Sequence, residues 1–455
     1  MINMSLQLAQ KILDAELVGE PVDFSGIQID TRLLQAGNLF ATLVGKQVDA
    51  HDFLGEAKNK GAVAALVSRK VDSDLPQLVV PDVTIALGKL AHYWREQFKL
   101  PVIGITGSCG KTTTTQMLGA ICNSAAPTLT PVGNNNNELG VPLTLCKLNA
   151  EHRYAVIEMG AKRKGDINYL VHITQPTIAL ITNIAPVHLE VPGTIGFETL
   201  EGVYLAKSEI YSNLPRNGSG VAIVNTDDDF YPSWCQMLRH QKMVTFGFHK
   251  DAQVTARNLV ANSNLQYSFD LVTLEGLIRV QLSSVGRHNV INALAAAAAA
   301  LTVGISLQHI AEGLANVPPM ARRMIRLQAK NGATLIDDSY NANLKSVKAL
   351  VDMLAEYSGK KMLVFGDMLE IGPQSPEFHR QIGEYAKKLG IDYLITFGKD
   401  AQYAAKEFGG EAQHFDDYEK LVAAVTPLLD ENVMVVVKGS LGMKMDRIVN
   451  ALTPA

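Results

Sequence analysis

The stretch Thr106-Gly107-Ser108-Cys109-Gly110-Lys111-Thr112-Thr113 decides the fold of this chain. It follows an apolar run at residues 102–106 that predicts a buried strand, and it precedes a run compatible with a helix. Glycines at such a turn let backbone N–H groups point at phosphate oxygens, and the helix N-terminus adds positive potential. The side chain of Lys111 can reach the β- and γ-phosphates, and the Thr112 hydroxyl can bind Mg²⁺. The stretch therefore predicts nucleotide binding.

The strict phosphate-loop pattern has glycine where Ile105 stands, so a plain strand-to-helix turn is the alternative interpretation. The flanking strand and helix favour nucleotide binding. The residues expected to hold ATP are Gly107, Ser108, Cys109, Gly110, Lys111, Thr112 and Thr113.

Apolar runs separated by helix-like segments continue on both sides of this loop. Buried strands are predicted at 154–157, 178–182 and 221–224, which indicates a mainly parallel sheet covered by helices on both faces. Residues 253–282 are rich in β-formers and predict an antiparallel section. The alternation restarts with a strand at 333–336 and predicts a doubly wound, Rossmann-like domain.

The 455 residues suggest three domains at roughly 150 residues each. A helix at 84–98 is expected to end before Leu100-Pro101, and Val317-Pro318-Pro319 is typical of a hinge. We therefore predict an α/β fold with an N-terminal domain at 1–98, a central P-loop-type domain at 99–316 and the Rossmann-like domain at 317–455.

Composition limits the function. A hydrophobic content of 47% excludes disorder, and a net charge of −4 argues against general affinity for nucleic acid. Residues 1–17 have helical apolar spacing without a secretion signal, and the alanine-rich run at 293–301 is too short to cross a bilayer. Because the four cysteines form no C-x-x-C pair, we expect reduced thiols in a cytoplasmic protein with no integral membrane segment.

Two candidate metal ligands follow the next strands. Glu158 comes directly after the strand at 154–157, and a carboxylate at the carboxyl end of a parallel strand can hold Mg²⁺. His188 follows the strand at 178–182, although Mg²⁺ prefers oxygen ligands and a lone histidine is more often structural.

Other polar residues each allow two interpretations. The four asparagines at 134–137 form either a plain loop or a set of amides for a sugar or peptide ligand. Lys207, in a helix-like segment, is by its local pattern a solvated surface lysine. Asp337-Asp338 either cap a turn or, with Arg322-Arg323, face the phosphate loop across an interdomain site.

Taken in order, these segments resemble the ATP-dependent Mur ligases of peptidoglycan synthesis along nearly the whole chain. The motifs that carry the resemblance are the loop at 106–113, Glu158-Met159-Gly160-Ala161, the segment around His188, Ala206-Lys207-Ser208-Glu209-Ile210-Tyr211, the segment at 286–292 and Asp337-Asp338-Ser339-Tyr340-Asn341-Ala342-Asn343. The N-terminal domain adds Asp30-Thr31-Arg32, Gly37-Asn38-Leu39-Phe40 and Asp49-Ala50-His51.

Three of the motifs imply which step of the pathway the chain performs. They are the motif at 337–343, the asparagine-rich motif at 133–142 and the motif Gly366-Asp367-Met368-Leu369-Glu370. The resemblance implies that ATP converts the carboxylate of UDP-N-acetylmuramoyl-tripeptide to an acyl phosphate, which the amine of D-alanyl-D-alanine then attacks. It also implies a monomeric enzyme that uses Mg²⁺.

The resemblance further implies roles for single residues. Catalysis would rest on Lys111, Glu158, His188, Lys207 and Asp338. Mg²⁺ would be held by Thr112, Glu158, His188 and a carbamylated Lys207. ATP would also contact Asn292, Arg323 and Asp338, with Arg323 preferred over Arg322. The substrate would contact Thr31, Arg32, Gly45, Asn134, Asn136 and Asn137.

The chain departs from the family pattern in several places. Thr31 replaces a usual serine, Ala50 a glycine, Cys109 an asparagine and Leu441 an arginine, and the loop at 190–197 is longer than usual. Backbone amides and Lys111 do most of the phosphate binding, so we expect the loop to tolerate Cys109 and its thiol to be sensitive to alkylation. No role is carried over to Leu441.

Other functions remain open at this point. A ligase similar to folylpolyglutamate synthase, or another step of the same family, would share the loop and the chemistry. A P-loop kinase or motor would transfer phosphate without forming an amide bond. A catalytically silent protein that binds a nucleotide-sugar is the alternative that is not an enzyme.

Overall fold

The structure is a computed structural model that describes residues 1–189 and 196–454. In these ranges the strands form five sheets, and the strands of each sheet come from one continuous part of the chain. Most of the loop at 190–197, predicted to depart from the family pattern, lies outside the described residues. No helix in the described ranges is both long and apolar enough to cross a membrane.

The N-terminal part contains a five-stranded sheet with the order β2-β7-β6-β5-β4 and a small β1-β3 sheet. The helical spacing of apolar residues at 1–17 corresponds to a helix only at α1, because Ser5 caps α1 and Asp14 ends it in a left-handed conformation. The elements are β1 (Asn3–Ser5), α1 (Leu6–Leu13), β2 (Glu16–Val18), β3 (Asp23–Ser25), β4 (Ile27–Gln28), β5 (Leu39–Ala41), α2 (Leu54–Asn59), β6 (Ala64–Val67), β7 (Gln77–Val79) and α3 (Val83–Glu96).

The central part contains a parallel six-stranded sheet and a three-stranded antiparallel sheet. Its elements are β8 (Val102–Thr106), α4 (Lys111–Ala125), β9 (Thr128–Leu129), α5 (Gly140–Leu145), β10 (Tyr154–Glu158), α6 (Asp166–Thr174), β11 (Ile178–Ile181), α7 (Leu200–Ser208), β12 (Val221–Asn225), α8 (Tyr231–Met237), β13 (Lys242–Phe246), β14 (Thr255–Ala261), β15 (Gln266–Thr273), β16 (Gly276–Val285), α9 (His288–Thr302) and α10 (Leu307–Ala315). The predicted antiparallel section corresponds to β14, β15 and β16.

The order of the parallel sheet, β13-β12-β11-β8-β10-β9, places its switch point at β8. The chain adds β9 and β10 on one side of β8 and then β11 to β13 on the other. Open α/β sheets bind ligands where the strand order reverses, outside the carboxyl ends of the strands. The loop that follows β8 therefore lies where this topology favours a ligand. The alanine-rich helix α9 is buried and packs closely against α4 because its side chains are small.

The C-terminal part is a six-stranded sheet with the order β17-β18-β22-β19-β20-β21. The strand predicted at 333–336 corresponds to β18, but it is not the first, because an antiparallel edge strand, β17, precedes it. The elements are β17 (Ile325–Gln328), β18 (Thr334–Asp338), α11 (Leu344–Ala355), β19 (Lys360–Gly366), α12 (Ser375–Lys388), β20 (Tyr393–Phe397), α13 (Gln402–Phe408), β21 (Ala412–Phe415), α14 (Tyr418–Val425), β22 (Val433–Lys438) and α15 (Asp446–Leu452).

A buried arginine joins the N-terminal part to the central part. Arg95, in the last turn of α3, donates hydrogen bonds to the carbonyl oxygens of Thr174 (3.0 Å) and Gln175 (3.3 Å), at the C-terminal end of α6. It also donates to the carbonyl of Phe98 at 2.8 Å. Because these bonds span about 80 positions of sequence, Arg95 ties the two parts together.

Replacing Arg95 by alanine is expected to lower the free energy of unfolding by on the order of 3 kcal/mol, because it leaves buried carbonyls without a donor. Chemical denaturation measures the change. Arg153→Ala is the matched control, since the side chain of Arg153 also donates to three carbonyls but is exposed, and its hydrogen bonds among the described residues lie within its own loop. Equal losses in the two variants would contradict this account of Arg95.

Candidate active site

A cleft of about 2060 Å³ lies between the central and C-terminal parts, with a few residues of α3 at its margin. The loops after β8, β10 and β11 line one side, and those after β18, β19 and β22 line the other. Most of the residues predicted for the site line this cleft: Ser108, Cys109, Gly110, Lys111, Thr112, Thr113, Asn134, Asn136, Asn137, Glu158, His188, Lys207, Asn292, Arg323 and Asp338.

The phosphate loop has the backbone that its glycines predict. Gly110 has φ +78°, and helix α4 begins at the next residue, so the free N–H groups of its first turn lie at the loop. The Nζ of Lys111 donates to the carbonyl of Gly107 at 2.7 Å, which holds the ammonium over its own loop. Burial lowers the pKa of Lys111, an effect that Glu158 opposes through its charge.

Asn292 of α9 packs directly on this loop. A Cβ at position 110 would collide with its Oδ1, so Gly110 is required both by its backbone angle and by the space available. The Oδ1 of Asn292 also accepts a hydrogen bond from Thr114 of α4 at 3.4 Å, and its Nδ2 donates to Asn289 at 2.9 Å. Asn292 thus fixes the position of the loop against α9.

Replacing Gly110 by alanine is expected to abolish detectable ADP binding, because the new methyl group displaces Asn292 and strains the loop. Isothermal titration with ADP provides the measurement. Gly37→Ala is the matched control: Gly37 has φ +89° with open space around its Cβ position, outside the cleft. It should lose some stability and keep ADP affinity. Unchanged ADP affinity in Gly110→Ala would contradict the account.

Glu158 presents a buried carboxylate oxygen to the cleft. It ends β10, beside Ile105 of β8 in the parallel register, and is only 2% exposed. Its Oε1 accepts a hydrogen bond from Asn136 Nδ2 at 2.7 Å, whereas its Oε2 has no hydrogen-bond partner among the described residues. A buried carboxylate oxygen without a donor is a strong candidate ligand for a cation.

The asparagine run has a structural part and a part that faces the site. Asn137 accepts a hydrogen bond from the N–H of Gly140, the first residue of α5, at 2.9 Å, which is a structural contact. Asn136 positions Glu158, and its side-chain amide also donates to Asn134 at 2.9 Å. All three predicted residues line the cleft.

His188 adopts a left-handed backbone conformation, with φ +50°, in the loop after β11. Its Nδ1 lies 2.6 Å from Oε2 of Glu370, which comes from the loop after β19 in the C-terminal part. Burial lowers the pKa of His188 to about 4, although the charge of Glu370 acts in the opposite direction. At neutral pH the ring is therefore uncharged and able to bind a cation.

The structure contradicts the interpretation of Lys207 as a surface residue. It lies in the last turn of α7 and is 1% exposed, with its Nζ 5.8 Å from the centre of the Phe197 ring. Burial, reinforced by the charge of Lys111, lowers its pKa well below the usual value, while Asp166 and Glu158 act in the opposite direction. A lowered pKa increases the fraction of the amine that is uncharged, and therefore nucleophilic, relative to a surface lysine.

The C-terminal part contributes a cation and a buried ion pair. Arg323 lies over the Tyr340 ring, 3.9 Å from its centre, and lines the cleft. Arg322, in contrast, pairs with Asp446 at 2.6 Å and does not line it. Asp338, at the end of β18, pairs with the buried Lys438 at the end of the neighbouring strand, β22.

Two departures from the family pattern also lie at the cleft. The thiol of Cys109 donates to Oδ1 of Asn343 at 3.2 Å, which brings the phosphate loop into contact with the N-cap of α11. Leu441 is 48% exposed and lines the cleft. All four cysteines lie in the described part of the chain, and each is a free thiol.

The predicted substrate residues of the N-terminal part do not line the cleft. Thr31 donates to Glu56 at 2.8 Å, and Arg32 pairs with Asp30 at 2.6 Å on the surface. The N–H of Gly45 bonds the carbonyl of Val48 at 2.8 Å in a turn. These three residues therefore lie apart from the phosphate loop.

Three residues at the site had no predicted role. Asn183 accepts from the N–H of Cys109 at 3.1 Å and donates to its carbonyl at 3.1 Å, so it shapes the phosphate loop. Lys438 and Glu370 pair with predicted residues across the fold. All three lie in or beside segments quoted for the family resemblance. That resemblance is the sequence signal that could have identified them.

The fold and the cleft define a class: a phosphate-loop α/β domain whose nucleotide site is faced by a second, Rossmann-like α/β domain. Three family profiles match the chain. They are the Mur ligase family catalytic domain at residues 23–95, the Mur ligase middle domain at 105–300 and the Mur ligase glutamate ligase domain at 322–441. The chain belongs to the Mur ligase family.

Individual relatives match over the whole length. The chain is 42% identical to UDP-N-acetylmuramoyl-tripeptide–D-alanyl-D-alanine ligase of Escherichia coli K12, over 99% of each chain. Among solved structures it is similar to MurF from Acinetobacter baumannii, with a TM-score of 0.92 and 34% identity over 99% of each chain. It is also similar to MurF ligase from Thermotoga maritima in complex with ADP, with a TM-score of 0.82 and 26% identity, over 94% of this chain and 97% of that one.

Proposed function

We propose that this chain uses ATP to join D-alanyl-D-alanine to UDP-N-acetylmuramoyl-tripeptide. The observation that carries the proposal is the cleft, in which the phosphate loop, the unpartnered oxygen of Glu158 and Arg323 of the C-terminal part line one cavity. Full-length similarity to ligases named for this reaction supports the choice of substrates.

The reaction has two balanced steps. A carboxylate oxygen of the tripeptide attacks the γ-phosphorus of ATP, the bond from that phosphorus to the bridging oxygen breaks, and ADP leaves. The amine of D-alanyl-D-alanine then attacks the carbonyl carbon of the acyl phosphate, loses a proton and forms the amide. Inorganic phosphate leaves with the former carboxylate oxygen. Water must be excluded, because it would compete with the amine.

The residues of the cleft suit the charge that develops in the first step. The ammonium of Lys111 and the N–H groups at the start of α4 neutralise phosphate oxygens, and Arg323 adds a second cation from the opposite side. Asp338 is proposed to contact ATP from the C-terminal part. Asn292 keeps the phosphate loop in place.

The donor set also fits Mg²⁺. The unpartnered Oε2 of Glu158 and the buried hydroxyl of Thr112 are oxygen ligands, and the uncharged ring of His188 and a carbamylated Lys207 complete the proposed set. When bound, the ion would neutralise phosphate charge. Asn136 orients Glu158 for this purpose through its 2.7 Å hydrogen bond.

The N-terminal part is proposed to bind the nucleotide-sugar end of the substrate through Thr31, Arg32 and Gly45. Because these residues lie outside the cleft, the substrate would extend from them toward the phosphate loop, past Asn134 and Asn137. We further propose three domains at 1–98, 99–316 and 317–455, a monomeric state and a cytoplasmic location.

Product analysis tests the proposal. The chain is incubated with ATP, Mg²⁺ and one of three donor–acceptor pairs: UDP-N-acetylmuramoyl-tripeptide with D-alanyl-D-alanine, the nucleotide-linked precursor that lacks the third residue with a diamino acid, or a folate with L-glutamate. Mass spectrometry should detect the pentapeptide only with the dipeptide. A product with the diamino acid would indicate another step of the family, and one with L-glutamate on a folate substrate would indicate a folylpolyglutamate-synthase-like activity. ADP release without any amide product would contradict the proposal.

A further inference from the structure

The loop that follows β19, residues 367–371, is held rigidly before it reaches the cleft. The buried carboxylate of Asp367 accepts hydrogen bonds from three consecutive backbone N–H groups, those of Lys399 (2.9 Å), Asp400 (3.0 Å) and Ala401 (2.7 Å). A carboxylate that accepts three backbone donors fixes the loop on both sides of it. The start of the loop is therefore anchored in the C-terminal sheet.

The next two residues are anchored as well. The N–H of Met368 donates to Nε2 of the buried His379 at 3.0 Å, and the N–H of Leu369 donates to Oγ of Ser440 at 2.9 Å. Glu370 follows with φ +59°, a left-handed angle that costs a non-glycine residue free energy unless its surroundings impose it. The loop is thus built to present one carboxylate in a fixed position.

That carboxylate meets the central part. Its Oε2 lies 2.6 Å from Nδ1 of His188, and its Oε1 lies 3.2 Å from Nζ of Lys162. His188 also has a left-handed backbone, so two strained residues from opposite sides of the cleft meet at this point. The side chain of Glu370 is 47% exposed, and ion pairs so exposed add little stability.

We propose that Glu370 is a positioning residue that sets the tautomer of His188. A carboxylate can only accept a hydrogen bond, so the 2.6 Å contact requires a proton on Nδ1, and in the neutral ring the lone pair is then on Nε2, free for a ligand in the cleft. Because Glu370 belongs to the C-terminal part, the tautomer is set only when that part lies against the central part. Closure of the cleft then also sets the tautomer of His188, with the proton on Nδ1.

The test measures the tautomer directly, without metal or substrate. In protein labelled with ¹⁵N-histidine, long-range ¹⁵N–¹H spectra report which ring nitrogen of His188 carries the proton, with His188→Gln used for assignment. The wild type should show a protonated Nδ1. Glu370→Leu, of similar size but without an acceptor, should shift His188 toward the other tautomer. Glu370→Gln should restore the Nδ1-protonated tautomer in part, because the glutamine amide oxygen still accepts a hydrogen bond. If Glu370→Leu does not fold, the tautomer is measured in Glu370→Gln instead.

Kinetics provide the second readout. Glu370→Leu should lower kcat by roughly 10- to 100-fold with little change in KM for the tripeptide, and Glu370→Gln should be intermediate. Glu377→Leu is the matched control, since Glu377 is an exposed glutamate of α12 whose side-chain partners among the described residues, Arg380 and Gln381, lie in its own helix. It should leave both the tautomer and kcat unchanged. A wild-type tautomer in Glu370→Leu would overturn the proposal, as would an equal effect of Glu377→Leu.

This role of Glu370 rests on the proposed function only where activity is measured. If the wild type forms no pentapeptide but Glu370→Leu still changes the tautomer of His188, the proposed function fails and the positioning role stands. If the pentapeptide forms and the tautomer does not respond to Glu370, the positioning role fails and the proposed function stands.

Discussion

Replacing Lys111 by alanine is expected to lower the rate of pentapeptide formation by roughly a thousandfold, within the range seen when a preorganised group that stabilises transition-state charge is removed. Lys111 is the only residue of the 106–113 stretch whose side chain carries a positive charge. Its Nζ is held by the carbonyl of Gly107, and a γ-phosphate at the loop would offer a charged partner instead. The initial rate of ADP release, with both substrates present, measures the loss.

Lys147→Ala is the matched control for this prediction. Lys147 is an exposed lysine of the central part that does not line the cleft, so its removal should leave the rate unchanged. Circular dichroism should show that both variants are folded. A near-normal rate of ADP release in Lys111→Ala would show that the phosphate-loop assignment is wrong.

Replacing Lys207 by methionine is expected to lower the rate by roughly a hundredfold or more. Methionine preserves most of the buried volume, so the loss would come from the amine rather than from a cavity. An uncharged amine can add to the carbon of carbon dioxide and release a proton, which gives a carbamate: the lysine nitrogen is kept and now carries a carboxylate with two oxygens. Burial and the lowered pKa of Lys207 both favour the uncharged amine.

Carbon-13 NMR with labelled bicarbonate measures the modification itself. The wild type should show a carbamate signal that Lys207→Met lacks, and depletion of bicarbonate should lower the activity of the wild type alone. Lys242→Met provides the control, because Lys242 is an exposed lysine at the start of β13. Full activity in Lys207→Met, together with no response of the wild type to bicarbonate, would exclude the carbamate.

The sequence predicted those parts of the site that depend on local pattern. The phosphate loop was recognisable because a strand, a glycine turn and a helix are consecutive in the chain. Glu158 was placed correctly because it directly follows an apolar strand, and parallel strands share one binding edge. The antiparallel section was predicted because its β-forming composition extends over about 30 residues.

The parts that depend on tertiary contacts were not predictable in the same way. Lys207 has the local pattern of a surface lysine, and its burial arises from packing of α7 that no short window contains. The contact between His188 and Glu370 joins residues 182 positions apart, so neither segment alone indicates it. Asn137 and Asn136 are neighbours of one residue type, but only their surroundings make one a partner of the first residue of α5 and the other a partner of Glu158.

The central claim is that ATP activates the tripeptide carboxylate as an acyl phosphate in this cleft. It is tested most directly with UDP-N-acetylmuramoyl-tripeptide labelled with ¹⁸O in the reacting carboxylate. During ligation to D-alanyl-D-alanine, one labelled oxygen should appear in inorganic phosphate for each amide formed, and the other should remain in the product. Phosphate without label, while the pentapeptide accumulates, would contradict the account.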